Sequence, residues 1–163
     1  RKLGHECVAI SSAREGFRGV RYLDDGLKVY YVPLLPFVGG DTFPTIFGLM
    51  PLVRQILVRE RVQIVHCHTS VSNLSAEIMV QARIMGLRTV FTEHSLFPLG
   101  TMAGIALNKA FRFSSCSLDY AICVSNACKE NFVQRTRFPA DRTVVIPNAV
   151  NPLAFAPQQA SDA

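Results

Sequence analysis

Two hydrophobic rhythms alternate along this chain. Short stretches are apolar or β-branched almost throughout, and longer ones are apolar only every third or fourth residue. The first rhythm marks buried strands and the second amphipathic helices. ECVAISS (6–12) is the first predicted strand. VRYLDDGLKVYYVPL (20–34) divides into two extended runs around Asp25-Gly26, a tight-turn dipeptide. After a loop with Gly39-Gly40, residues 45–61 carry Ile46, Leu49, Met50, Val53, Ile56 and Leu57 at helical spacing. VQIVHC (62–67) is continuously apolar, the pattern of a parallel strand covered on both faces. The clearest helix is 69–87, with Val71, Leu74, Ile78, Ala82 and Met85 in one stripe and Gly86 placed to end it. A strand at 88–92, an apolar helix at 99–115, a strand at 120–125, a helix at 126–136 and a strand at 142–147 complete the series.

Repeated strand-helix-strand crossovers predict an α/β fold, a Rossmann-like parallel sheet flanked by helices with right-handed connections. RKLGH at the start has the look of a helix tail, and NPLAFAPQQASDA at the end that of a linker. The expected division is one Rossmann-like domain over 1–147 with its first strand and helix truncated, then an interdomain linker over 148–163.

Composition narrows the possible functions. The 163 residues are 49% hydrophobic and 18% charged, which suits one packed domain and argues against disorder. The net charge of +5 is scattered. No basic stripe interleaved with aromatics and no base-reading module is visible, so no nucleic-acid partner is expected. No run of transmembrane length occurs, because Pro36, Asp41, Pro44 and Pro51 break up the closest candidate. Five irregularly spaced cysteines read as reduced, buried thiols. HCH at 66–68 invites a metal reading, but Cys67 faces away from His66 and His68 on a strand, and no second ligand pair follows, so no metal is expected.

Ligands of an open parallel sheet bind beyond the carboxyl ends of its strands. There the sequence places His68 and Thr69, then Thr92, Glu93, His94 and Ser95, then Ser125 and Asn126, then Asn148. Thr69 and Ser125 suit a helix N-cap equally well. An inward-facing His66 would be a hydrogen-bonded core residue. His94 needs no capping role and is the leading functional candidate. No GxGxxG loop, Walker loop or GxSxG elbow is present, which counts against dinucleotide, nucleoside-triphosphate and hydrolase chemistry.

GVRYLDDGLKVYYVPL, VRERVQIVHCHTSVSNLSAE, MGLRTVFTEHSLF, ICVSNACKEN and VIPNAVNPLAFAP follow one another in the order and spacing of one family, a resemblance that runs over about residues 4–157. The chain resembles the catalytic subunits of phosphatidylinositol N-acetylglucosaminyltransferase, which open glycosylphosphatidylinositol (GPI) anchor synthesis. RYL-x3-LKVYY is the motif that separates them from related retaining glycosyltransferases. The resemblance implies the amino-terminal, acceptor-binding half of a GT-B glycosyltransferase, inactive without the nucleotide-sugar domain. The reaction implied moves N-acetylglucosamine from UDP-GlcNAc to phosphatidylinositol on the cytoplasmic face of the endoplasmic reticulum membrane. It uses no metal or other cofactor, and companion subunits of the transferase complex are implied as partners.

By the same resemblance His94 lies near the donor sugar, and Glu93 orients it, contacts inositol hydroxyls or caps the next helix. His68 and Thr69 stand near the acceptor, Ser125 and Lys129 face the cleft, where the lysine meets a phosphate, and Asn148 sits at the interdomain crossing. Asn151 replaces a usual Asp. SLFPLGTMAGIALNKAFRF (95–113) is either a surface resting on the membrane or an ordinary crossover helix packed on the sheet. A related retaining glycosyltransferase with another acceptor, or a non-catalytic interaction module, are the other two readings.

Overall fold

The computed structural model describes residues 3–14, 16–35, 45 and 48–150. Strands β1 (Val8–Ser12), β2 (Gly19–Tyr22) and β3 (Lys28–Val32) form one sheet in the order β1-β3-β2. β1 runs parallel to β3, and β2 pairs antiparallel with β3 across a turn at Asp25-Gly26. Gly26 sits at φ 76°, a left-handed conformation open to glycine at little cost. Helix α1 (Met50–Arg59) leads from this sheet to a second one made of β4 (Ile64–His68), β5 (Arg88–Glu93), β6 (Tyr120–Cys123) and β7 (Thr143–Val145), in that order and wholly parallel. Helices α2 (Asn73–Ile84), α3 (Met102–Ser115) and α4 (Asn126–Thr136) make the crossovers.

The expected strand and helix series is therefore present, with ends trimmed by a few residues. Leu3 and Gly4 form a turn, with Gly4 at φ 85°, the left-handed conformation that commonly follows a helix end; the rest of the expected helix tail lies outside the described residues. Other expectations fail. β4 is not covered on both faces. Val65 and Cys67 point into the core while Ile64, His66 and His68 are exposed on the other face. The proposed tail linker from 151 onward lies outside the described residues.

One core unites both sheets. Tyr30 and Val32 meet Val53, Ile56 and Leu57 of α1, and the same cluster continues through Val65 and Cys67. α2 lies on β4 and β5, and α4 lies on β6 and β7. α3 sits between α2 and α4 and sends Phe111 down to Phe91 and Phe132, with ring centroids 5.0 and 6.0 Å away. Such aromatic clusters combine large buried area with favourable edge contacts.

α3 is inverted relative to an ordinary amphipathic helix. Asn108, Ser114 and Ser115 face inward with Phe111, while Met102 (83% exposed), Ile105, Leu107 and Phe113 (74% exposed) face out. The inward polar groups are satisfied locally: Asn108 donates to Pro98 O, Ser114 to Phe111 O and Ser115 to Arg112 O. Gly104 lets the helix start lie against the preceding loop, for a Cβ there would stand 2.6 Å from Pro98 O.

Of the cysteines, Cys67, Cys123 and Cys128 are buried and unpaired, as expected. Cys7 and Cys116 are exposed, against expectation, because Cys7 precedes β1 in irregular chain and Cys116 follows the exposed stripe of α3.

Candidate functional site

The carboxyl ends of β4 and β5 bring three histidines together. Strand alternation turns His66 and His68 to the open face, and β4–β5 register sets them beside Val90 and Thr92. His66 Nε2 lies 2.7 Å from Thr92 Oγ1, so His66 is hydrogen-bonded but on the surface rather than in the core. His66 stacks on His68 with ring centroids 4.5 Å apart, and His68 stacks on His94 at 5.4 Å. His68 Nδ1 and His94 Nε2 are 3.1 Å apart. The rings stack rather than converge, and no cluster of three His, Cys, Asp or Glu set to hold a metal ion occurs among the described residues.

This pair has a definite hydrogen-bonding character. One ring nitrogen of the contact must carry the proton and the other must accept it. If His68 Nδ1 donates, His68 Nε2 is left an acceptor and His94 Nδ1 a donor; the opposite arrangement reverses both. Either way the dyad offers a ligand one donor and one acceptor on its outer nitrogens. Burial first, and the neighbouring His94 second, lower the His68 pKa below its ordinary 6.5, which favours the neutral state this requires. His66 is lowered for the same reasons, by burial and then by His68 and His94.

The loop carrying His94 is anchored on every side. Glu93 Oε1 accepts from the backbone N–H of His94 at 3.0 Å and of Ser95 at 3.3 Å. Asn131 of α4 clamps Phe97 through both its N–H and its C=O. Thr101 caps α3, and Asn108 holds Pro98 O. Cys128 Sγ lies 3.5 Å from Glu93 O.

Glu93 itself is wholly buried. Its other oxygen accepts from Arg135 of α4 and from Ser70 Oγ, and Arg135 also donates to Ser70 Oγ at 2.6 Å. The guanidinium lies over Phe97, Phe111 and Phe132, 4.6, 5.1 and 5.7 Å from their ring centroids. Of the three roles open to Glu93, the geometry leaves orientation of His94; a carboxylate sealed in this way touches neither inositol nor any other ligand. Arg135 is absent from the sequence-derived candidates. Its helix position is apolar in environment, and only its contacts with residues 42 and 65 positions earlier reveal its part.

The other candidates divide. Thr69 follows His68 in a left-handed conformation, φ 69°, and accepts from Ser72 N through its carbonyl. The capping residue of α2 is Ser72, whose hydroxyl accepts from Ser75 N. Ser125 does cap α4, accepting from Cys128 N at 3.1 Å, and stays exposed at the end of β6. Lys129 directs its ammonium to Thr143 O at 2.6 Å, tying α4 to β7, so it is not presented to a phosphate here. Asn148 is exposed in the segment after β7. The structure therefore joins His68 and His94 directly, places Thr69, Ser125 and Asn148 along the same sheet edge, and withdraws Glu93 and Lys129 into structural contacts. A cavity among the described residues lies elsewhere, between β2, β3 and α1.

Comparison with known proteins matches residues 12–101 to the family model described as PIGA (GPI anchor biosynthesis). The phosphatidylinositol N-acetylglucosaminyltransferase GPI3 subunit of Saccharomyces cerevisiae is 46% identical over 160 residues, covering 98% of this chain and 35% of that protein. The corresponding phosphatidylinositol N-acetylglucosaminyltransferase subunit of Arabidopsis thaliana is 46% identical over 96% of this chain, and that of Homo sapiens 43% identical over 94%. The chain spans about a third of the length of these relatives, 35% and 32% of the latter two.

Proposed function

The chain belongs to the PIGA family of GPI-anchor biosynthesis, and from that premise we propose that it forms the acceptor-side part of a GT-B glycosyltransferase. The reaction is transfer of N-acetylglucosamine from UDP-GlcNAc to the inositol of phosphatidylinositol, at the cytoplasmic face of the endoplasmic reticulum membrane and in company with other subunits. The names of the relatives support the reaction and the role of one subunit among several. The single observation that carries the site is the exposed His68–His94 dyad at the carboxyl edge of the sheet.

A polyol meeting the dyad donates from one hydroxyl to the unprotonated outer imidazole nitrogen and accepts at another from the protonated one. That fixes the hydroxyls' direction before the glycosidic bond breaks, and orientation of this kind lowers the barrier without covalent chemistry. Glu93 and Arg135 hold the loop in register, so the rings do not have to be ordered when the ligand arrives. Ser125 and Asn148 stand along the same edge as further hydroxyl and amide contacts, with Thr69 setting the turn beside them. The proposal assigns the reaction no metal and no other cofactor.

The face of α3 carrying Met102, Ile105 and Phe113 with Lys109 and Arg112 supports a membrane-resting surface, an apolar stripe with cations suited to anionic head groups. No helix among the described residues is long and apolar enough to cross a membrane.

Complementation tests the reading. Cells lacking this transferase receive the full-length protein, wild type or His94→Ala, and anchored surface proteins are counted by flow cytometry. Wild type restores them, and His94→Ala, expressed to the same level, does not. Full rescue by His94→Ala would remove the site, and failure of the wild type to rescue would remove the reaction.

A further inference from the structure

The hairpin RYLDDGLKVYY takes no part in the histidine site. It forms one wall of a cavity of about 440 Å³ instead. Val20 of β2 and Tyr30 and Val32 of β3 face Leu52, Gln55 and Ile56, a stripe along α1. The charged residues in this lining are Arg18 and Arg59. Arg18 has no ion-pair partner among the described residues. Arg59 stands 3.9 Å from Glu60, whose carboxylate is already held by Lys28 at 2.6 Å and by Tyr30. The groove is thus apolar inside and carries cationic charge that its own acids do not neutralise.

Beside it runs an open strand edge. β2 is outermost in its sheet and all four of its residues are exposed. Leu23 N donates to Leu27 O at 2.9 Å, which makes that cross-strand pair the hydrogen-bonded kind. Antiparallel pairs alternate, so Arg21–Val29 is hydrogen-bonded and Val20–Tyr30 and Tyr22–Lys28 are not. The backbone N–H and C=O groups of Val20 and Tyr22 consequently point away from β3. The exposed Arg21 guanidinium at 3.1 Å from Val20 O fits this orientation. The side chains of the same two residues lie on the groove side, opposite Tyr30 and Lys28.

We infer that this edge and groove receive an extended segment of a companion subunit, with apolar side chains alternating along it and at least one carboxylate. The segment adds to β2 as a fourth strand, bonding Val20 and Tyr22 through the backbone. Its apolar side chains enter the groove against Ile56, and its carboxylate meets Arg18 and Arg59. The inference rests on the family reading, whose relatives are named as subunits, and deepens it by assigning a surface. An acyl chain fills an apolar groove equally well, but it leaves the row of backbone donors and acceptors unused; a peptide strand uses both features together.

The test uses the full-length protein purified with its associated subunits. Gln55 is replaced by the photo-crosslinker p-benzoylphenylalanine, and the adduct is mapped by mass spectrometry. The expected adduct is a single segment of a companion subunit containing Asp or Glu within an alternating apolar run. Arg18→Glu with Arg59→Glu lowers the amount of that subunit retained at least about tenfold, the scale expected for reversing charge across an interface. Val20→Pro deletes one outward N–H while sparing the bonds to β3, and lowers retention in the same direction with an unchanged melting temperature. An adduct on phospholipid or on a second copy of this chain, or unchanged retention in both variants, overturns the inference. Retention of the companion is read independently of anchor synthesis, so this result and the complementation result fail separately.

Discussion

His68 Nδ1 and His94 Nε2 lie 3.1 Å apart, a contact that exists only while at least one ring is neutral. Protonating both would set two donors against each other. The lowered pKa values of His66 and His68 mean that the folded chain binds these protons less readily than the unfolded chain does. The unfolded state therefore gains protons first as pH falls through the ordinary value of 6.5, and stability drops with it. Above that value the contribution is fully present. Chemical denaturation between neutral pH and pH 5 is expected to show this fall, and His66→Gln with His68→Gln to flatten it. An equally steep fall in the double variant would place the titration elsewhere.

Breaking the buried ion pair is expected to cost far more than removing a surface charge. Arg135→Ala strands the Glu93 carboxylate, whose exposure is zero, and such losses run to about 3–5 kcal/mol. Glu93→Ala has the converse effect. The pair Glu93→Leu with Arg135→Met removes both charges at once and is expected to cost much less than the sum of the single changes. Urea denaturation of the wild type, Glu93→Leu, Arg135→Met and the double variant gives the coupling directly.

Vesicle flotation checks the exposed face of α3. Phosphatidylcholine vesicles containing phosphatidylinositol are expected to bind the full-length protein through this face. Lys109→Ala and Arg112→Ala each weaken binding by about 1 kcal/mol, the usual worth of a cation at an anionic surface. Met102→Ser with Phe113→Ser weakens it on neutral vesicles as well. Equal binding by all variants would assign the stripe to another surface.

Thiol labelling separates the cysteines. Cys7 and Cys116 react with a maleimide in the folded state, and Cys67, Cys123 and Cys128 only after unfolding. Burial pushes the Cys67 thiol up to about 12 and raises Cys123 as well, so neither supplies thiolate at neutral pH. Rapid modification of all five cysteines would contradict the burial described.

Local rhythm made most of the architecture readable. Alternation alone sets Cys67 on the opposite face from His66 and His68, and the structure agrees, with Cys67 turned inward. Asp25-Gly26 announces the hairpin because few residue pairs turn a chain so tightly. What local rhythm does not encode is partnership at a distance. Glu93 reads as a site carboxylate until Arg135 arrives from α4 to neutralise it. Lys129 reads as a phosphate ligand until Thr143 O is found within reach. The capping choice between Thr69 and Ser72 turns on a left-handed backbone at Thr69, which a β-branched residue adopts only under tertiary constraint. For α3, polar residues fall on the inner side and apolar ones on the outer, so the usual rule points to the wrong face; Asn108 and Ser114 inside and Phe113 outside decide it.

The sealed carboxylate and guanidinium also bear on how this sequence can drift. A neutral side chain at position 93 leaves a stranded cation, and one at 135 a stranded anion, so either change alone carries the full cost of an unpaired buried charge. Two codons separated by 42 positions are therefore tied in descent. Lineages that have lost one charge should be found to have lost the other, with hydrocarbon in place of both.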